Sequence, residues 1–534
     1  MHIRCLLAAA FLALAAIPTK AAEAVSLAPV VTNRTADLGA DGILRLHWMG
    51  KKQLGIEAGA YSLMRIWTLD ASVKVQNQSL DRLASAPWRL LLGPAQVTNI
   101  YTLALRPLLN DVVQEETYFE IRDRTNTSPD CAFAIRLDPR HSGQWETNLA
   151  LAVQSLFGQW PTQQGGRGWI LSRAGSPGRV ELTRAGNWTL LGLSGGDNVL
   201  VQEWIGRINK TGTPVRTERP HLWLELDVNA ARFAALSGNT APALPRVSFT
   251  LTGDGADVVA RAFLDFSSSI QPPTTAWTVP TDILSESVVE FSALRDVDNL
   301  LGLSPAAPAL PGQVFSWAPT SMPGQWCWAT PLPPGLPGGL VVTNLAGLAG
   351  ALLASHAAGE LAVMSNPDGA IWNGVPGAAP FFKIIQSGGR DWLMGGTLAN
   401  ADIVTNLPVA LYPLPGVSEL SARLQAMTNV FFYHWEATEP RVESAFLLAQ
   451  AFRAAFRGTP IPMESRSVDW LKAITSRSGS CTTILRQTGP AQLTLERTSP
   501  TGFSALELAV LVDWLESPWF PLGLWSTSVA PAGQ

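Results

Sequence analysis

Short β-strand patterns alternate with helical patterns along almost the whole chain, and this alternation is the strongest constraint on its fold. Residues 132–137 place the large apolar side chains of Phe133, Ile135 and Leu137 at alternate positions, as a strand does, whereas residues 439–456 carry apolar side chains at helical spacing. Hairpin signals are frequent, the clearest being the turn Gly253-Asp254-Gly255. Because hairpins join antiparallel neighbours, we predict an α+β fold of mixed or antiparallel sheets with packed helices.

The chain is too long for a single hydrophobic core. It has 534 residues, of which 47% are hydrophobic and 15% charged, a composition typical of folded domains. Chains above roughly 250–300 residues divide into domains. A proline-rich stretch marks the division. We therefore predict an N-terminal α+β lobe (25–266), a connecting region with short strands (267–340), a C-terminal α+β lobe (341–525) and a flexible tail (526–534).

A short pattern recurs in the two predicted lobes. Trp188 opens a strand pattern and Gly192 ends it, and Trp392 and Gly396 repeat the same spacing of four residues. A helix-start signal follows each copy. The recurrence indicates a diverged internal duplication as one organisation of the lobes, although two matches do not define a strict period.

The first 24 residues have the order of a secretory signal peptide. A short positive start precedes the apolar run Leu6–Ile17, and a small-x-small cleavage signal ends at Ala24. The run is shorter than the roughly 20 residues that cross a bilayer, and no later segment is uninterrupted enough to do so. We therefore expect an exported bacterial protein of the periplasm or cell exterior, without a transmembrane segment after cleavage.

Charge and cysteine content exclude several classes of function. The net charge is −4, and no cluster of Lys and Arg indicates nucleic-acid binding. We expect no cofactor, and any partner would belong to the envelope or the exterior.

Three widely spaced cysteines remain after cleavage, which allows one disulfide at most or three small buried apolar side chains: Cys131, Cys327 and Cys481.

One catalytic motif is present. Residues 192–196 match the G-x-S-x-G nucleophile elbow, with Ser194 between a predicted strand and a predicted helix. No His-Gly oxyanion loop precedes it, and the alternative is a turn leading into a helix cap. Three histidines follow as candidate bases: His221, His356 and His434.

The densest group of metal-ligand residue types lies near residue 440. His434 and Glu436 share one face of a predicted strand, and Glu439 and Glu443 share one face of the following helix. Together they could hold a metal ion with one imidazole and several carboxylate oxygens. The alternative is a set of acidic residues favoured by the helix dipole near its N-terminus.

Two other groups are weaker candidates. Trp326 and Trp328 would place both rings on one strand face, a platform on which sugar rings stack. Most of the 20 tryptophans adjoin aliphatic residues and indicate core packing instead. An acidic group could supply the paired carboxylates of a glycosidase, or be a solvated face: Asp111, Glu115, Glu116 and Glu120.

The sequence therefore favours an exported protein with a non-catalytic binding or structural role. A secreted serine hydrolase using Ser194 is the first alternative. A carbohydrate-binding protein using Trp326 and Trp328 is the second.

Overall fold

The computed structural model describes fifteen segments of the chain: residues 38–92, 99–124, 128–165, 168–172, 178–215, 221–236, 244–284, 288–296, 312–319, 325–354, 362–366, 368–373, 379–398, 414–457 and 460–522. They divide into two compact units, the first made of residues up to 267 together with 514–522, the second of residues 268–513. The predicted signal peptide and the predicted tail lie outside the described residues.

The described residues of the first unit form ten strands and seven α-helices. The strands are β1 (Gly42–Trp48), β2 (Thr117–Arg122), β3 (Asp130–Arg136), β4 (Thr162–Gln163), β5 (Gly168–Ser172), β6 (Arg179–Ala185), β7 (Trp188–Ser194), β8 (Leu224–Asn229), β9 (Arg246–Gly253) and β10 (Val258–Asp265). The helices are α1 (Lys51–Leu54), α2 (Tyr61–Trp67), α3 (Asp70–Leu92), α4 (Asn99–Gln114), α5 (Pro139–Phe157), α6 (Val199–Thr211) and α7 (Ala230–Leu236).

The second unit also has ten strands among its described residues. They are β11 (Val288–Arg295), β12 (Gln313–Pro319), β13 (Cys327–Pro331), β14 (Ala362–Asn366), β15 (Gly369–Asn373), β16 (Phe381–Ser387), β17 (Arg390–Gly396), β18 (Val430–Ala437), β19 (Ser480–Gly489) and β20 (Gln492–Ser499). Its helices are α8 (Gly338–Ala354), α9 (Val417–Gln425), α10 (Thr438–Arg457), α11 (Arg466–Thr475) and α12 (Ala505–Leu515), whose last two residues belong to the first unit.

The strands of the two units follow the same order. In the first unit the order is β10-β9-β8-β1-β2-β3-β7-β6-β5-β4, and in the second it is β20-β19-β18-β11-β12-β13-β17-β16-β15-β14. Adding ten to each strand number converts the first order into the second. All of these pairings are antiparallel, so the chain has a mixed helix-and-strand fold built on antiparallel sheets.

Helices also lie on corresponding faces of the two sheets. The helix after the third strand, α5 or α8, packs on one face, against Ile135 in the first unit and Leu393 in the second. The helix after the seventh strand, α6 or α9, packs on the opposite face. The units therefore share their layering as well as their strand order.

The two repeated tryptophans occupy matching positions. Trp188 on β7 pairs with the last residue of β3, and Trp392 on β17 pairs with the last residue of β13. Each contacts an aromatic ring on the second strand of its unit. The Trp188 and Tyr118 ring centroids are 5.5 Å apart at an interplanar angle of 59°, and those of Trp392 and Phe315 are 5.9 Å apart at 55°.

Two stretches differ from the sequence prediction. Residues 340–343, whose β-branched side chains indicate a strand, are instead in the first turns of α8, because Val342 packs against Leu332 and Leu393. The predicted connecting region 267–340 contributes β11, β12 and β13, which are central strands of the second sheet. No described helix combines the length and apolar character needed to cross a membrane.

Candidate functional site

The central strands of the second unit carry a polar cluster on one face of the sheet. Strand β18 lies between β11 and β19. Because side chains of directly paired residues point to the same face, the pairing brings six of them together. They form two cross-strand rows, Ser292–His434–Thr483 and Glu290–Glu436–Cys481.

The imidazole of His434 is engaged at both nitrogens. Nδ1 lies 2.8 Å from Ser292 Oγ, a hydrogen bond in which either atom can be the donor. Nε2 lies 3.7 Å from Glu436 Oε2. The side chain is 13% exposed. The chemistry of the cluster therefore depends on which nitrogen carries the proton.

The carboxylate of Glu436 is fixed from the opposite side. Its Oε1 accepts hydrogen bonds from the backbone N–H of Ala505, at 2.7 Å, and from Thr438 Oγ1, at 2.9 Å. Burial raises the pKa of Glu436, but the adjacent His434 and these two donors outweigh it and hold that pKa below its ordinary value. The side chain is therefore an ionised carboxylate whose Oε2 faces His434.

A thiol completes a set of three possible metal donors. One ligand atom each from His434, Glu436 and Cys481 lies within 4.8 Å of the other two. Donors around a tetrahedral zinc ion are about 3.3–3.8 Å apart, given zinc–ligand bonds of about 2.0–2.3 Å. The imidazole nitrogen and the carboxylate oxygen lie 3.7 Å apart, and the thiol sulfur lies within 4.8 Å of both, so shifts of about 1 Å would bring the three atoms to the spacing of zinc ligands.

The predicted metal ligands are only partly brought together. His434 and Glu436 belong to the cluster, whereas Glu439 is half-buried and Glu443 exposed on α10, and neither belongs to the group of converging donors among the described residues. Cys481, expected to be a small buried apolar residue, takes their place.

Two arginines flank the cluster and are themselves paired. Arg441 on α10 forms an ion pair with Glu290. Arg497 on β20 donates from Nε to Thr483 Oγ1, at 2.9 Å, and from Nη1 to Glu507 Oε1, at 2.6 Å. Both guanidinium charges are therefore matched by carboxylates.

The first unit has apolar residues at all six matching positions. The matching strands can be aligned from Trp188 and Trp392 through the observed pairings. The residues that match Glu290, Ser292, His434, Glu436, Cys481 and Thr483 are Leu44, Leu46, Leu226, Val228, Val247 and Phe249. Five of these belong to one hydrophobic cluster packed beneath α7. The fold therefore does not require polar side chains there.

Ser194 makes the contacts of a turn residue. It is buried at the end of β7, and its Oγ donates to the carbonyl of Gly196. Asn198 then caps α6 by accepting a hydrogen bond from the N–H of Val201, at 3.0 Å. Of the candidate bases, His221 is exposed, His356 lies outside the described residues and His434 belongs to the second unit. A nucleophilic role for Ser194 stays a prediction.

The two tryptophans of the predicted sugar platform differ in environment. Trp326 is 37% exposed and precedes β13, where its backbone N–H donates to Thr397 Oγ1. Trp328 packs edge-on against Phe382, with centroids 5.8 Å apart, and lies against Gly395. Trp326 is therefore the more accessible ring, and sugar binding stays a prediction.

The acidic group of the first unit is engaged on both faces of the sheet, and its catalytic role stays a prediction. Asp111 accepts a hydrogen bond from Trp145, at 2.9 Å, on the α5 face, and burial raises the pKa of Asp111. Glu116 instead contacts His47, at 3.3 Å, and Glu120 is buried in ion pairs on the other face. These carboxylates therefore interact with opposite sides of the sheet.

Sequence reasoning missed four of the six members of the cluster: Glu290, Ser292, Cys481 and Thr483. The alternation of Glu290, Ser292 and the apolar residues between and beyond them is a strand signal that could have located β11. Cys481 carries no such signal, because its proximity to His434 depends on the register between β18 and β19.

Comparison with known proteins adds no assignment. No protein family model matches this chain, and comparison with curated proteins and with solved structures found no similar protein. The geometry of the cluster and its contrast with the apolar residues of the first unit are therefore what mark it as a functional site.

Proposed function

We propose that the two units are diverged copies of one domain and that the second copy acquired a metal site. Three observations support the duplication: the same strand order, helices on matching faces, and the matched aromatic pairs around Trp188 and Trp392. Residues at matching positions of the two copies can therefore be compared with each other. A residue type found in only one copy reflects something other than the needs of the shared fold.

The proposed function is zinc-class metal binding by an exported protein. The leader-like N-terminus supports export, and a binding role agrees with the function that the sequence favours. One observation carries the metal assignment. An imidazole nitrogen, a carboxylate oxygen and a thiol sulfur converge at positions that are apolar in the other copy.

The donor set favours zinc over harder cations. Sulfur and imidazole nitrogen are ligands that zinc prefers, whereas calcium and magnesium prefer six or more oxygens. The surrounding contacts also fit. A proton on His434 Nδ1 would be donated to Ser292, leaving Nε2 for the ion, and Ala505 and Thr438 hold the second oxygen of Glu436.

The test is zinc stoichiometry after equilibrium dialysis of the full-length protein, measured by elemental mass spectrometry. We expect one tightly bound zinc per wild-type chain. Cys481→Ser should lower zinc affinity at least tenfold, whereas Cys327→Ser, a buried thiol on β13 of the same unit, should retain wild-type affinity. Glu443→Gln should also bind normally. Equal loss in the two cysteine variants would contradict the site.

Carbohydrate binding is a second candidate because Trp326 is exposed. It predicts that polysaccharide changes the tryptophan fluorescence of the wild-type protein and not that of Trp326→Ala.

Hydrolysis through Ser194 is the third candidate. It predicts that a fluorophosphonate probe modifies Ser194.

A further inference from the structure

We infer that Ser292, His434 and Glu436 form an acyl-transfer relay when no metal is bound, with Ser292 as the nucleophile. This activity goes beyond metal binding and does not depend on it. Metal binding and the acyl-transfer relay require different tautomers of His434. Metal binding needs the proton on Nδ1, and the relay needs it on Nε2, the nitrogen that faces the Glu436 carboxylate at 3.7 Å.

The geometry assigns a role to each residue. Ser292 Oγ lies within hydrogen-bond distance of the imidazole, at 2.8 Å. Glu436 lies at the other end of the same ring, at 3.7 Å. Its carboxylate is held by Ala505 and Thr438, so it can orient the ring and stabilise the imidazolium that forms. The nucleophile Ser292, the base His434 and the orienting carboxylate of Glu436 are therefore adjacent in space, in that order.

The fold has no need of these three polar residues. In the first unit the matching positions hold Leu46, Leu226 and Val228, which pack in a hydrophobic cluster. Placing a hydroxyl, an imidazole and a carboxylate on a half-buried sheet face removes polar groups from water, which is unfavourable unless each group finds a partner. A chemical role accounts for their presence in one copy alone.

The nucleophile lies on the more open face of the sheet. Ser292 is half-buried, as is Ser316, the residue paired with it on β12. Phe291 and Ala293, which point to the other face, are fully buried. A substrate would therefore approach from the face that carries the cluster.

The charges around the cluster indicate a neutral substrate. Arg441 and Arg497 are the cations beside it, and each is paired with a carboxylate. Because its charge is already matched, neither guanidinium is available to bind a substrate anion such as a phosphate. We assign a small uncharged carboxylic ester as the substrate class.

The reaction has two balanced steps. Ser292 Oγ attacks the ester carbonyl carbon while its proton moves to His434 Nδ1, and the same proton is then given to the departing alkoxide, which leaves as an alcohol. Water next attacks the acyl-serine with His434 again as the base. The carboxylic acid is released and Ser292 is restored.

The test uses full-length protein treated with a chelator and a fluorophosphonate probe, with the modified residue identified by peptide mass spectrometry. We expect an adduct on Ser292 in the wild-type protein. Labelling and hydrolysis of p-nitrophenyl acetate should fall at least tenfold in Ser292→Ala and in His434→Gln. Ser316→Ala, which removes a hydroxyl from the next strand on the same face, should label like the wild type.

Two results would overturn the relay: folded wild-type protein without an adduct on Ser292, or labelling of Ser292 that persists unchanged in folded His434→Gln. An adduct on Ser194 alone would also overturn the relay, because Ser292 would then be unmodified. Because labelling is read without metal and zinc binding is read without the probe, the two proposals fail separately.

Discussion

At the residue scale, Glu436 is the most constrained side chain of the cluster. It is almost fully buried and ionised, and it connects His434 to the first residue of α12. Hydrogen bonds to a buried charge contribute about 1.5–3 kcal/mol each, and leaving such a charge unpaired is unfavourable by a similar amount. Changes at this one position should therefore affect both the cluster and the helix.

The lowered pKa of Glu436 predicts a pH-dependent contribution to stability. A carboxyl whose pKa is lower in the folded state stabilises the protein above its unfolded pKa, near 4.5, and loses that contribution as the pH falls through the folded value. Glu436→Gln should lower the free energy of unfolding by about 1–3 kcal/mol at pH 7, and by less below pH 4.5. Urea unfolding at several pH values measures the difference.

The exposed Glu443 provides the control for this prediction. Glu443→Gln should change the free energy of unfolding by no more than about 0.5 kcal/mol at any of these pH values. A loss in Glu436→Gln that is the same at neutral and acid pH would show that the ionised carboxylate is not the stabilising species.

The thiol of Cys131 should be unreactive in the folded protein. Burial, with a smaller contribution from the charge of Asp130, raises the pKa of Cys131 to about 12, so the thiolate is scarce at pH 8. The described cysteines form no disulfide. Iodoacetamide should leave Cys131 unmodified in native protein and modify it after denaturation in urea, as read by peptide mass spectrometry. Complete modification of the native protein within minutes would contradict this.

At the element scale, the seventh strand of each unit needs a glycine four residues after its tryptophan. A Cβ on Gly192 would lie 2.8 Å from Val201 Cγ2 of α6, and one on Gly396 would lie 2.7 Å from the Phe381 ring. Real Cβ atoms do not approach other atoms so closely, so these glycines let the neighbouring side chains close over the strand.

Gly192→Ala and Gly396→Ala should each lower the free energy of unfolding by about 1–3 kcal/mol, the usual effect of overpacking. Gly196→Ala is the control, because nothing lies within 4 Å of a Cβ built there. It should change the free energy of unfolding by no more than about 0.5 kcal/mol. Denaturant unfolding compares the three variants, and an unchanged Gly192→Ala would show that β7 and α6 pack less closely than described.

Local patterns predicted many elements but could not predict the site. The strand at 132–137, the hairpin around residue 254 and the helix at 439–456 correspond to β3, to β9 and β10, and to α10. These depend on periodicity and turn chemistry, which are local properties. Ser292 and Cys481 are 142 and 47 positions from His434 along the printed sequence, and only the register of three strands brings them to it.

At the scale of the whole molecule, the two units provide an internal comparison. The same strand order surrounds an apolar cluster in the first unit and a polar one in the second. The recurring Trp-to-Gly spacing is the feature of the sequence that corresponds to this shared order. Under the proposed duplication, strand pairing would preserve a relationship that side-chain identity does not.

Zinc should therefore stabilise one unit selectively. Zinc at 100 times its dissociation constant stabilises the state that binds it by about 2.7 kcal/mol. Hydrogen exchange should slow in β11, β18 and β19 and remain unchanged in the matching strands β1, β8 and β9. Hydrogen-exchange mass spectrometry with and without zinc measures both sets at once. Equal slowing in both units would indicate non-specific binding.

The decisive measurement of the metal site is the cobalt absorption spectrum, which reports sulfur ligation and coordination geometry together. Wild-type protein titrated with Co²⁺ should show a thiolate-to-cobalt charge-transfer band in the near ultraviolet and tetrahedral bands in the visible region. Both should be lost in Cys481→Ser and kept in Cys327→Ser. A wild-type spectrum without the charge-transfer band, or one that Cys481→Ser leaves unchanged, would contradict a metal site at His434, Glu436 and Cys481.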